Sequence, residues 1–169
     1  RKEIKNTAKK ICRGFKGLEI DKIHKLPSGD KIGIFPLNED SSIYLEDGIT
    51  GERIFNFNDC EFGDHFVEKI SKFLPSSIDV VAGQFGLAGW YGHTSNHKVF
   101  QDAREDKLAR LCYVSQLFKA RITIPFASFA TFCKTGNTYI NKHQTSPQEI
   151  YSYMRTIPGT VWLPLPNEE

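Results

Sequence analysis

Apolar and polar residues alternate with a period of two through the first part of the chain and with a helical period after it. Leu18–Lys25 (LEIDKIHK) alternates, Pro27-Ser28-Gly29-Asp30 supplies a turn, and Lys31–Leu37 (KIGIFPL) alternates again. Ser41–Glu46 (SSIYLE) leads through Asp47-Gly48 into Arg53–Phe57 (RIFNF), which predicts a hairpin with Ile54, and Phe55 beside it, as its inward positions. The rhythm then changes. Asp64 can cap a helix carrying Phe66, Val67, Ile70 and Phe73, which Pro75 stops. Ile78–Ala82 reads as a short buried strand running into a glycine-rich loop, Gly83 to Gly92. Asp102 can cap a second helix with Leu108, Leu111, Cys112 and Phe118 on one face, and Arg121–Phe126 (RITIPF) is a further buried strand. Ser146-Pro147-Gln148-Glu149 combines a capping box with proline at the first helical position. That helix places Ile150, Tyr153, Met154 and Ile157 on one side, Pro158-Gly159 ends it, and Thr160–Leu163 is a last strand. Four strands followed by three helix–strand units, without repeats or linkers, predict one α/β domain built as a layer-pair.

Composition sets the scale of that domain. The 169 residues are 40% hydrophobic and 25% charged, and a chain of this size buries roughly 70% of its unfolded surface. No apolar run approaches the roughly 18 residues of a membrane span, so no membrane partner is expected. The net charge is +2, but Arg1, Lys2, Lys5, Lys9, Lys10, Arg13 and Lys16 stand against Glu3 alone in the first sixteen residues. We read residues 1–17 as a basic N-terminal helix whose Ile4, Ala8 and Ile11 pack on the body, residues 18–169. So small a net charge speaks against a nucleic-acid partner. Cysteines at 12, 60, 112 and 133, with no C-x-x-C, read as the reduced thiols of a cytoplasmic protein. The single methionine is Met154 and the sequence opens at Arg1, from which we expect a fragment of a longer protein.

Few residues carry candidate chemistry. Asp59 lies just past the strand Arg53–Phe57, flanked by Asn58, where a metal ligand or general base commonly sits; the alternative is a carboxylate that caps its own turn. Gly83-Gln84-Phe85-Gly86-Leu87-Ala88-Gly89-Trp90-Tyr91-Gly92 leaves the C-terminal end of a strand, where open α/β sheets bind ligands. It lacks the G-K-[ST] of a phosphate loop, so its glycines and Trp90-Tyr91 read either as a ligand-approaching backbone with an aromatic wall or as a crossover filling core. His93 and His97 have the i, i+4 spacing that can ligate zinc or iron, but within a loop they read as exposed. No G-x-S-x-G or H-E-x-x-H occurs, and nothing assembles a nucleophilic triad.

Two stretches carry a resemblance. Phe55-Asn56-Phe57-Asn58-Asp59-Cys60, after Asp40-Ser41-Ser42 and Glu46-Asp47-Gly48, and the late strand with Pro125-Phe126-Ala127, resemble the metallo-β-lactamase fold. The likeness runs over about residues 18–165 and is nearer to the branch of ascorbate-6-phosphate lactonases and CMP-N-acetylneuraminate hydroxylase-like proteins. It implies half of an αββα sandwich, the C-terminal half, with the missing N-terminal half of the same protein as its partner. It also implies a divalent metal, zinc, iron or manganese, with Asp59 matching the aspartate that bridges two ions. The substrate side would be Gln84, Trp90, Tyr91, His93, His97 and Asn141. Two departures limit the carry-over: H-x-H-x-D-H is absent, and Ala127 stands where many members place a histidine. The implied activity is a metal-dependent hydrolase or oxygenase acting on a sugar- or nucleotide-linked small molecule. The alternative is a catalytically degenerate member kept as a binding or assembly module.

Overall fold

The computed structural model describes residues 17–61, 63–89, 91–92, 96–126 and 130–164. The basic helix expected over residues 1–17 thus lies, apart from Gly17, outside the described residues, as do Trp90, His93 and Ala127. The strands are β1 (Ile23–Lys25), β2 (Lys31–Leu37), β3 (Asp40–Glu46), β4 (Arg53–Asn56), β5 (Val80–Gln84), β6 (Ile122–Phe126) and β7 (Thr160–Val161). They form one sheet in sequence order, antiparallel from β1 to β4 and parallel from β4 to β7. The helices are α1 (Asp64–Ser71), α2 (His97–Leu117) and α3 (Pro147–Met154), and each links two of the parallel strands. Parallel neighbours need such crossovers, so the switch from hairpins to helix–strand units in the sequence is the switch from antiparallel to parallel pairing.

Register sorts the sheet into two unlike faces. Ile23, Gly33, Tyr44, Phe55, Val81, Thr123 and Val161 form one continuous row of paired positions. Phe35, Tyr44, Phe55 and Val81 in this face are fully buried against Phe66 and Ile70 of α1, Leu108, Leu111 and Val114 of α2, and Ile150 and Met154 of α3. All three helices therefore cover the same side. The opposite face carries the rows Ile32, Leu45, Ile54, Val80, Ile122 and Ile34, Ile43, Asn56, Ala82, Ile124. Leu45 is 39% and Ile54 40% exposed there, and Trp162 beyond β7 is 54% exposed. Ile54 thus faces away from the core that was expected to hold it, and Phe55 is the inward residue. Because side chains alternate strictly along a strand, only one of two neighbours can face the helices.

Helix ends follow local chemistry with two changes of boundary. The Ser146 side chain accepts the Glu149 amide while Glu149 Oε2 accepts from the Ser146 amide at 2.8 Å, so the expected capping box opens α3. Tyr153 of α3 is exposed rather than packed, since Ile150 and Met154 define the buried stripe. Gly63, not Asp64, is the residue preceding α1. α2 begins five residues before Asp102, at His97, and Asp102 instead pairs with Lys98 at 2.6 Å one turn back. The sequence also gave no sign of a short 3-10 turn at Thr138–His143.

At the lower edge of the sheet Glu46 gathers three donors: Lys31 Nζ at 2.6 Å, Tyr44 Oη at 2.6 Å and Arg53 Nε at 3.3 Å. The Lys31 hydrogen bond, then that of Tyr44, hold its carboxyl down to about 2 from 4.5. A carboxylate depressed on folding stabilises the fold above its unfolded pKa and loses that contribution as pH falls through the folded value. Urea midpoints followed from pH 5 to pH 2 should therefore fall less steeply in Glu46→Gln than in the parent chain. Parallel curves for the two proteins would contradict this account.

Candidate functional site

The C-terminal ends of β4, β5 and β6 share one edge of the sheet, and the loops leaving them are where an α/β sheet places its ligands. β4 stops at Asn56 because Asn58 takes a left-handed conformation (φ 52°), which asparagine tolerates better than most residues. Asn56 Oδ1 accepts the Asn58 amide at 2.8 Å, and Cys60 N donates to Phe57 O at 3.1 Å. The turn is then fastened to β5 through Gln84 N donating to Asn58 O at 2.9 Å. Asn56 is therefore the residue that caps this turn. Asp59 is half-buried, and its Oδ1 accepts from the Asn58 side chain at 2.5 Å, leaving lone pairs for a further partner.

Other acids gather around this turn. The β2–β3 hairpin brings Asp40 close enough for Asp59, Glu39 and Glu61 to add to the effect of burial in raising its carboxyl above the usual range. Burial, then Asp40 and Asp59, push the Cys60 thiol up to about 12, so Cys60 is an inert core thiol. Cys60, Cys112 and Cys133 are free cysteines. Lys107, on the inner face of α2 and almost fully buried, reaches to 3.9 Å from Glu61. Burial lowers its pKa, partly offset by Glu61. Asp40 and Lys107 were not among the expected site residues. Asp40 reads in sequence as a turn acid and Lys107 as one charge among many on a helix, and only the fold brings them to the Asp59 turn.

The remaining candidates separate. Gln84 closes β5 at this same edge, paired with Phe126 of β6. Tyr91 is half-buried against Phe100 in a second small core with Leu87 and Ile140, ring centroids 6.1 Å apart. Its ring thus fills core. Asn141 uses both ends of its amide on Phe132, accepting from N at 2.9 Å and donating to O at 3.0 Å. Gln144 does the same for Leu87, at 3.2 and 2.8 Å, and ties the loop after β5 to the 3-10 turn. His97 is the first residue of α2 and lies beside His143, a pairing that sequence distance conceals. Trp90 and His93 are outside the described residues. Among the described residues, no three His, Cys, Asp or Glu side chains converge where one metal ion could be held. Asp59, with Asp40 near it, fits a contribution to a metal site and not a complete one.

No protein-family model matches the chain, and no curated protein matches it. Among solved structures, a metallo-β-lactamase-superfamily protein of Thermotoga maritima, described as a zinc-dependent hydrolase, superposes with a TM-score of 0.50 at 14% identity over 89% of this chain and 72% of that one. A metal-dependent hydrolase of the β-lactamase superfamily gives 0.43 at 10% identity, over 87% and 55% of the two chains. Yeast PDE1, solved without ligand, gives 0.49 at 10% identity, over 89% and 48%. This chain spans about half the length of the latter two. The first likeness carries the fold: a mixed seven-stranded sheet with helices on one face, of the metallo-β-lactamase type.

The Asp59 turn rests on Phe57, whose ring occupies the space above Gly83 of β5; a Cβ at Gly83 would meet that ring at 2.0 Å. Phe57 is itself fully buried. Gly83→Ala should therefore lower stability by about 2 kcal/mol, the cost of overpacking a filled core. Chemical denaturation measures this directly, and an unchanged midpoint would show that the ring can move aside.

Proposed function

We propose that this chain is the C-terminal half of a metal-dependent hydrolase or oxygenase with a metallo-β-lactamase-type fold. The single observation that carries the reading is the open face of the sheet. A row of Ile32, Leu45, Ile54, Val80 and Ile122, with no helix over it among the described residues, is what a sheet offers to a second sheet, and two such layers pack about 10 Å apart. The N-terminal half of the same protein is the second layer we propose for it. In an αββα sandwich the strand-end edge then lies between the two halves, and the Asp59 turn stands on that edge.

Asp59 would supply one ligand to a zinc, iron or manganese ion, with Asp40 at hand and the remaining ligands on the opposite layer. The zinc dependence attributed to the Thermotoga maritima protein agrees with this. Such an ion, when bound, polarises a substrate oxygen or lowers the pKa of a bound water. The protein's own part is to fix the turn through Asn56 and to place Gln84 and the Gly83–Gly92 loop beside it. His97 is assigned to the substrate side in this reading, as are Trp90 and His93, which lie outside the described residues. Asn141 supports the surrounding fold through Phe132. We further propose a cytoplasmic protein acting on a sugar- or nucleotide-linked small molecule, as in the lactonase and hydroxylase-like branch.

Metal analysis of the native protein tests the reading. We expect bound zinc, iron or manganese in the parent and at least a tenfold weaker retention in Asp59→Ala, with the far-ultraviolet spectrum unchanged. Equal metal content in both, or none in either, would overturn it. The second result would leave the alternative, a fold kept for binding or assembly.

A further inference from the structure

A different polar cluster stands at the start of α2. His97, Phe100, Gln101 and Arg104 follow one another at helical spacing on one face, and His143 at the end of the 3-10 turn lies against them. The His143 ring lies flat on Phe100, with centroids 4.5 Å apart and planes 10° from parallel. His97 is 5.3 Å from His143, centroid to centroid, and tilted by 50°. Phe100 is wholly buried in the second core with Leu87 and Ile140, so the floor is rigid. These five residues line an open cleft of about 160 Å³, room for about five waters at roughly 30 Å³ each.

The cleft collects positive charge. The acid facing it from α3 is Glu149, which accepts from Arg104 Nη1 at 3.1 Å and also belongs to the Ser146 capping box. Asp102, further along α2, is paired with Lys98. Against Glu149, and Glu105, which accepts from Gln101 Nε2 at 2.9 Å, stand the Arg104 fork and Lys142 beside His143, with two imidazoles as further N–H donors. Burial, then His97, Arg104 and Lys142, lower the His143 pKa. The first turn of the 21-residue α2 holds no acidic residue, and the Asn96 side chain makes no capping bond to it, so its amide dipoles add to the same field. Among the described residues two imidazoles leave a cation short of ligands beside a guanidinium. An oxyanion does fit: it accepts N–H donation from both rings and from the Arg104 N–H groups left over from Glu149.

We propose that this cleft is an oxyanion subsite that takes the phosphate group of a phosphorylated small molecule. It stands independently of whether Asp59 binds a metal. Imidazole signals of His97 and His143 in the 169-residue chain, assigned by substitution, can be followed by NMR at pH 6.5. Titrants are inorganic phosphate, a sugar monophosphate and the same sugar without phosphate, all in metal-free buffer. Both phosphates should shift the two histidines together, and the bare sugar should not. Tighter binding of the monophosphate identifies a phosphorylated ligand as the source, and equal binding identifies free phosphate; either supports the subsite. His97→Gln and Arg104→Gln should each weaken binding about tenfold, the worth of one charge-assisted hydrogen bond. Lys98→Gln, which alters charge outside the cleft lining, should leave it unchanged. Absence of any shift at tens of millimolar phosphate, or equal weakening by all three substitutions, would overturn the proposal. A response to zinc in place of phosphate would do the same.

Discussion

A seven-stranded sheet with all its described helices on one side must bury one face and leave the other to something else. The helices cover the row that runs from Gly33 through Tyr44, Phe55 and Val81 to Val161, where Phe35, Tyr44 and Phe55 are fully buried. Burying an aromatic side chain of this kind contributes roughly 2–3 kcal/mol, and the aromatic set fixes which way every strand faces. The opposite row inherits isoleucine, leucine and valine with no described helix above them. That asymmetry governs the rest of the molecule, because it sets both where the chemistry can sit and what must lie across from it.

The Asp59 turn follows from the same constraint. β4 and β5 run parallel, so their C-terminal ends meet at one edge, and Gly83 is bare of a side chain because Phe57 fills the space above it. The turn is then locked by backbone and by Asn56, and Asp59 is presented without having to hold its own loop together. Its surroundings are unevenly charged, with Asp40 and Glu61 near it and the buried Lys107 reaching to 3.9 Å from Glu61. In the proposed reading this edge meets a cation whose further ligands stand on a second layer. The histidine-lined cleft at the start of α2 shares His97 with the proposed substrate side. It is built on its own small core around Phe100, and the anion preference proposed for it rests on Arg104 and the two imidazoles.

Much of this architecture can be read from periodicity. Alternation in KIGIFPL and SSIYLE yields β2 and β3 almost to the residue, and the Ser146 capping box yields α3 together with its hydrogen bonds. What periodicity hides is which parity faces in. In RIFNF both Ile54 and Phe55 are apolar, and both faces of the sheet are apolar, so the inward residue is decided by the tertiary packing of Phe55 on Phe57 and Phe118. Asp102 misleads as a helix start because the Lys98–Asp102 pair sits inside the helix, while the residue at the true N-cap, Asn96, makes no side-chain capping bond. The site is less legible than the fold. Asp59 and Gln84 stand at strand ends and can be found from sequence, whereas His97 meets His143 across 46 positions, through a 3-10 turn without a periodic signature.

The central claim is that the bare face of the sheet is an internal surface of the working protein, and its accessibility measures this most directly. Hydroxyl-radical footprinting can compare Leu45, Ile54 and Trp162 in the native protein, isolated from its source, with the same residues in the 169-residue chain alone. The account predicts strong protection of all three in the native protein, with Ile49, 93% exposed at the lower edge, labelled equally in both. Equal labelling of Leu45, Ile54 and Trp162 in the two samples would mean that nothing covers the face, and the two-layer account would fail.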